Sequence, residues 1–260
     1  MLVNKIMSKA LNPCTFLAQS LLLILVYLTN FQAYAAEPNW QPYAELLNKH
    51  VVSKPYEKGT LHWVNYSAIK NDSLFPQVVS LIENYPIAQL DSRSEKLAFY
   101  INAYNILAIK MIVDHWPLTS IKKAGSLFKP VWKKPIGKIG GQMVSLQFLE
   151  DKIIRTLGEP RIHFAINCAS ISCPNLRREP YMASEINQQL QEQTLQFLDD
   201  PYKGLKMGRS RIRVSKIFKW FEDDFQKSGG IEQFILEFRP ELKGTKVRPN
   251  IRYNWSVNGD

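Results

Sequence analysis

The sequence predicts an α+β fold: a mainly helical single domain with a few short strands and no βαβ repeat. Three observations predict it. Apolar residues recur at helical spacing in several separate stretches. Short alternating or turn-bounded segments stand between them, and helices and strands follow one another in no rhythm that would build a parallel sheet. The chain has 260 residues. A leader removed at the front leaves about 225, enough for one domain with a sizeable core, and no internal repeat, low-complexity tract or long polar linker divides it.

The front of the chain reads as a signal peptide. Lys5 and Lys9 form a weakly basic end, no acid precedes Glu37, an apolar run covers Phe16 to Leu28, and Ala33-Tyr34-Ala35 precedes Ala36. That order predicts export with cleavage after Ala35, hence a secreted or periplasmic protein. The alternative is an uncleaved anchor, since Phe16 to Ala35 is about long enough to span a bilayer, though Gln19, Asn30 and Gln32 interrupt it. Cys14 leaves with the leader, and losing Lys5 and Lys9 takes the formal charge from +10 to about +8. Export argues against nucleic acid as a partner. The charge then points to anionic lipid, cell-wall polymer or an acidic ligand, with plain solubility as the alternative.

Along the mature chain, Tyr43 to Val52 and Leu74 to Tyr85 show helical spacing, with an extended segment, Leu61 to Tyr66, between them. Ser92 and Glu95 form a capping box, and the helix they start runs to about His115, stopped by Pro117. Ala98, Asn102, Asn105 and Ile109 share one stripe of it, so two amides sit on a largely apolar face and need partners there. Gly140-Gly141 marks a tight hairpin. Ser145 caps the next helix, whose Leu146, Leu149, Ile153 and Leu157 face inward and which Gly158 and Pro160 end. Ile162 to Asn167 reads as a strand with His163, Ala165 and Asn167 on one face. Ser184 opens an amphipathic helix to about Leu198 with Ile186, Leu190 and Phe197 on its apolar side. Arg209, Arg211 and Arg213 alternate with Ser210, Ile212 and Val214 as in a half-buried strand, and a last helix covers Ile231 to Phe238.

Chemistry concentrates in Arg161 to Arg177, RIHFAINCASISCPNLR, which holds His163, Asn167, Cys168 and Cys173. In one reading Cys168 is a nucleophile, His163 (or another histidine, such as His62 or His115) takes its proton, and an asparagine orients the imidazole or polarises a carbonyl. In a second, Cys168 and Cys173 pair in an oxidising compartment and brace the loop, a closure worth on the order of 2 kcal/mol, and an exposed small ring of this kind also suits a redox switch. In a third, His163, Cys168 and Cys173 are metal ligands, but zinc sites space their cysteines more tightly. No metal or cofactor is expected.

FYINAYN (Phe99 to Asn105), RIHFAINCASISCPNLR and VSKIFKWFEDDF (Val214 to Phe225), in this order, resemble the family called domain of unknown function 547, over roughly residues 60 to 258. The resemblance implies a domain and no established activity. It places family positions on Glu95, Asn102, Asn105, Glu150, His163, Cys168 and Cys173. The tail resembles a family ending in which an aspartate stands where this chain has Asn254. Glu95 is fully accounted for as a cap residue, and Glu150 sits where a helix dipole stabilises a carboxylate.

Lys122 to Lys138 holds six lysines and no acid, and Lys203 to Lys219 seven basic residues and no acid. Folded to one side they would make a basic surface for an anionic envelope component, with Trp132 and Trp220 as stacking surfaces beside the cations. The sequence thus supports two function classes. One is a thiol-dependent hydrolase or acyl transferase acting on the amide or ester of a small-molecule or peptide ligand, with Cys168 attacking, His163 as base, and Asn102 or Asn167 as orienting or oxyanion donor; Asn105 and Cys173 complete its candidate site. The other is a non-catalytic envelope protein with a disulfide-braced loop and a basic surface.

Overall fold

A computed structural model describes residues 37–125, 130–208 and 211–260; the expected leader with its expected cleavage point, Arg209 and Ser210 lie outside the described residues. Helix α1 (Gln41–His50) leads into an antiparallel hairpin of β1 (Val51–Tyr56) and β2 (Gly59–Val64), followed by α2 (Tyr66–Lys70) and α3 (Leu74–Glu83). The long helix α4 (Arg93–Asp114) starts at the expected capping box: Ser92 Oγ accepts the Glu95 N–H at 3.1 Å and Glu95 Oε2 accepts the Ser92 N–H at 2.8 Å. Almost all of α4 is buried, because α2, α3 and later helices pack around it; Leu97, Ile101, Ile106 and Ile112 are sealed, each worth about 2 kcal/mol of burial. It is the axis of the larger core.

Strands β3 (Pro135–Ile139) and β4 (Gln142–Ser145) form the expected hairpin. Gly140 and Gly141 turn it with φ of 55° and 82°, the pair of positive values that a two-residue turn of this hand requires. Ser145 Oγ caps α5 (Leu146–Leu149), which runs on through a wider π turn at Glu150–Ile154 and a tighter one at Arg155–Leu157, ending at Gly158 with φ 68°. The π turn adds a residue to the winding. Ile154 therefore takes the sealed position expected of Ile153, while Ile153 and Leu157 stay partly exposed.

The expected strand at Ile162–Asn167 is absent: Pro160–Phe164 is a 3₁₀ helix. Pro160 presets the first helical φ, and the Glu159 carboxylate accepts the Arg161 N–H, which together favour a helical start over extension. Helix α6 (Ile186–Asp199) buries Ile186, Leu190 and Phe197 as expected, but Glu185, not Ser184, occupies its cap position.

The last sheet has the order β5 (Leu205–Met207), β6 (Arg211–Ser215), β7 (Lys246–Ile251), with β5 antiparallel and β7 parallel to β6. The parallel pair needs a crossover, supplied by α7 (Ile217–Trp220), α8 (Glu222–Phe225) and α9 (Ile231–Phe238). It is one crossover, not a repeat. A second core, built on Phe164, Phe218, Phe225 and Phe234 with Ile212 and Val214, lies under it.

Candidate active site

The cysteine loop is held by amides. Asn105, on α4, donates from Nδ2 to the Ala165 carbonyl (3.1 Å) and accepts the Asn167 N–H (2.8 Å). Asn167 donates to the Pro174 carbonyl (2.6 Å) and accepts the Ala169 N–H (2.7 Å), tying the two ends of the loop. That second bond supports Ala169 at φ 61°, a left-handed conformation that a residue with a Cβ rarely adopts. Asn102 holds both backbone groups of Tyr181 at 2.8 Å. Asn102, Asn105 and Asn167, expected as candidate orienting groups or oxyanion donors, therefore spend their amides on backbone, and none of them lines the cavity described next.

The tail explains why a distant motif accompanies the loop. Ile171 N–H donates to the Ser256 carbonyl (2.9 Å), Ser172 N–H to the Asn254 carbonyl (3.2 Å) and Asn258 N–H to the Ala169 carbonyl (3.2 Å). Behind it, Tyr66 donates to Asn258 Oδ1 at 2.7 Å, and Val64 N–H to the Asn258 carbonyl. The tail thereby sets Tyr253 against the sulfurs.

Cys168 and Cys173 are joined as a disulfide, with Cα atoms 6.2 Å apart. The Tyr253 hydroxyl lies 3.4 Å from Cys168 Sγ and 3.1 Å from Cys173 Sγ and accepts from Ser170 at 3.1 Å; Cys168 N–H donates to Cys173 Sγ at 3.0 Å. Cys173 is buried and Cys168 half-buried. Both line a cavity of about 320 Å³ together with Tyr104, Glu150, His163 and Tyr253. One wall is aromatic: Trp132 and Trp220, the two tryptophans of the basic stretches, both pack on Trp255, at 5.9 and 5.5 Å between ring centres, and Lys122 Nζ sits 4.0 Å over the Trp255 ring.

Two acid–base groups face this cavity in unusual states. Burial pushes the Glu150 carboxyl up to about 7, Asp151 adds to the rise, and the Tyr104 hydroxyl, donating at 3.3 Å, opposes it. The helix dipole invoked from sequence does not prevail at this site. His163 is sealed, its ring stacked on Phe221 at 4.0 Å, and its Nε2 lies 2.7 Å from Asp224 Oδ2. Burial lowers its pKa, Asp224 opposing, so the imidazole is neutral at pH 7 and Nε2–H donates to the carboxylate. The Asp224 carboxyl itself is pushed up by burial, but the bonds from His163 and from Arg155 (2.7 and 3.0 Å) outweigh this and hold it below its ordinary value. His163 Nδ1 is then a buried acceptor without a partner.

The structure thus brings His163, Cys168 and Cys173 to one cavity, but with no hydrogen bond from the imidazole to either sulfur; the base expected for Cys168 is committed to Asp224. His62 and His115, the alternatives, bond the carbonyls of Leu176 and Met111 and do not line the cavity. Among the described residues, no three His, Cys, Asp or Glu side chains gather as a ligand set. Sequence reasoning missed Asp224 and the tyrosines. Asp224 lies in the WFEDDF motif and Tyr253 opens the tail motif, so both were in view without a partner to give them meaning.

Residues 87–198 match the family model described as protein of unknown function, DUF547. This segment belongs to the DUF547 family. The DUF547 match takes in α4, Glu150 and the whole cysteine loop, while Asp224 and Tyr253 come from chain beyond it. No curated protein and no solved structure matches the chain.

Proposed function

We propose that the cavity is a thiol-dependent acyl-transfer centre, a hydrolase or transferase acting on an amide or ester, whose reactive atom is Cys168 Sγ and whose resting form is the closed disulfide. One observation carries the reading: the half-buried Cys168 sulfur shares a mostly apolar cavity with a carboxyl whose pKa is about 7. Proton transfer near neutral pH is most efficient with such a group. Opening the pair takes two electrons and two protons from a dithiol reductant and leaves two thiols. The Cys168 thiol then gives its proton to Glu150 and its sulfur bonds to the substrate carbonyl carbon. Glu150 returns the proton to the departing amine or alcohol, and water or an acceptor nucleophile, deprotonated by Glu150, releases the acyl group. The Tyr253 hydroxyl beside both sulfurs donates to the thiolate, and the Arg155–Asp224–His163 chain fixes the opposite wall.

The test is labelling by an acyl-electrophile probe after reduction. Labelling of the parent and of Cys173→Ala, its loss in Cys168→Ala, and a pH dependence with an inflection near 7 that Glu150→Gln removes, are expected. Equal labelling of Cys168→Ala and the parent would remove the sulfur from this role.

The closed pair itself favours a second reading, a braced loop with no catalysis, on a secreted protein whose basic surface binds an anionic envelope component. Alkylation and mass spectrometry after treatment of the folded protein with a dithiol separate the two: two alkylated thiols favour the enzyme, a link that persists favours the brace.

A further inference from the structure

On the other side of Tyr253 and Trp255 lies a second cavity, of about 650 Å³, which shares those two residues with the first. Its cations are Lys206, Arg213 and Arg252, and no carboxylate lines it. Strand register makes the charge denser: Lys206 on β5 stands opposite Arg213 on β6, which stands opposite Arg248 on β7. Like charges directly opposite one another destabilise a sheet. Among the described residues none of these four cations makes an ion pair with an acid. The repulsion is left uncompensated by the protein.

The polar groups are also aimed. Arg213 Nε donates to Asn250 Oδ1 (2.9 Å) and Nη2 to the Asn250 carbonyl (3.2 Å), which fixes the guanidinium plane. Asn254 accepts the Ser256 N–H on Oδ1 (3.0 Å), so its Nδ2 points the other way, toward Tyr202 Oη at 3.3 Å and the Tyr56 hydroxyl. A carboxylate at position 254 would cancel one of the cavity's three positive charges; the amide leaves all three in place.

We infer that the second cavity binds a phosphate-type dianion, with Arg213, Lys206 and Arg252 supplying charge and the uncharged Asn254 leaving that charge intact. A planar guanidinium held by its neighbours suits the paired oxygens of such a group. Given the reading of the first cavity as an acyl-transfer centre, the ligand is an acyl compound whose phosphate end sits here while its carbonyl reaches Cys168 past the shared wall. Phosphate binding does not depend on that reading.

The test titrates inorganic phosphate into the oxidised full-length protein by calorimetry at constant ionic strength, with acetate as the monoanion control and phosphatidylglycerol vesicles as a second arm. Saturable phosphate binding, tighter than acetate and weakened about tenfold or more in Arg213→Gln and in Asn254→Asp, with the circular-dichroism spectrum unchanged, is the expected result. Phosphate no tighter than acetate, binding indifferent to both substitutions, or binding to vesicles alone would overturn it. Cys168→Ala separates the two claims: phosphate binding persists in this variant even if the sulfur turns out to have no acyl chemistry.

Discussion

His163 Nε2 meets Asp224 Oδ2 at 2.7 Å across 61 residues of sequence, and Arg155 clamps the same carboxylate from the helix that carries Glu150. Removing the carboxylate leaves a sealed imidazole N–H and part of a guanidinium without an acceptor. Asp224→Ala is expected to lose about 2 to 3 kcal/mol, below the figure for a fully buried pair because Asp224 is partly exposed. Urea unfolding at pH 7 checks this, and a loss under about 0.5 kcal/mol, the size of an ordinary surface change, contradicts it.

Glu150 and His163 pull stability in opposite directions with pH. The Glu150 carboxyl has a folded value near 7 against 4.5 unfolded, so the folded form holds the extra proton and its stability falls as pH rises through that window. Glu150→Gln removes the penalty: a gain of about 2 to 3 kcal/mol is expected at pH 8 and almost none at pH 4.5.

His163 has a folded value below its unfolded 6.5, so the unfolded form binds the proton first and stability is lost as pH falls below about 6.5. In the parent the Glu150 trend masks this decline. The Glu150→Gln variant should expose it as a unfolding midpoint that falls steadily from pH 7 to pH 5, and a flat midpoint there would count against a depressed histidine.

Asn105→Leu keeps volume but abandons the Ala165 carbonyl and the Asn167 N–H, both in the buried bracing network. A loss of about 2 to 4 kcal/mol follows from two unsatisfied backbone groups, together with faster amide exchange across residues 165–173, readable by hydrogen exchange.

Lys203 is sealed at 2% exposure, with Nζ donating to Asn175 Oδ1 at 2.6 Å. Burial lowers it to about 8, Asp200 opposing, against 10.5 in the open chain. The unfolded form therefore binds the proton more strongly, and stability rises with pH from about 8 to 10.5. Lys203→Met is expected to stabilise the protein at pH 7 by about 1 to 2 kcal/mol, since Asn175 Oδ1 still accepts the His62 N–H. A destabilised variant in thermal unfolding would contradict this.

Much of the fold was legible because its signals are local. The Ser92–Glu95 box, the Gly140-Gly141 turn and the Ile231–Phe238 period each name their element without reference to distant chain. The 3₁₀ helix at Pro160–Phe164 looks like a strand in the sequence because IHFAIN alternates well enough to hide the Pro160 and Glu159 start signal. Ile153 and Leu157 do pack on the larger core, but the sealed Ile154 escapes the pattern because a π turn leaves no mark in a count by 3.6. At the site, His163, Cys168 and Cys173 were found by residue type. Their true neighbours were not: Asp224 comes from 61 residues away, and whether Glu150 is stabilised or desolvated depends on burial that no spacing reveals.

The six-residue stretch from Tyr253 to Asn258 is, in effect, a stitch: it sews the cysteine loop to the edge of β2 and sets one face toward each of the two cavities. Proteolytic nicking within it would unpick both cavities in a single cut while leaving the long α4 core wrapped in its neighbours.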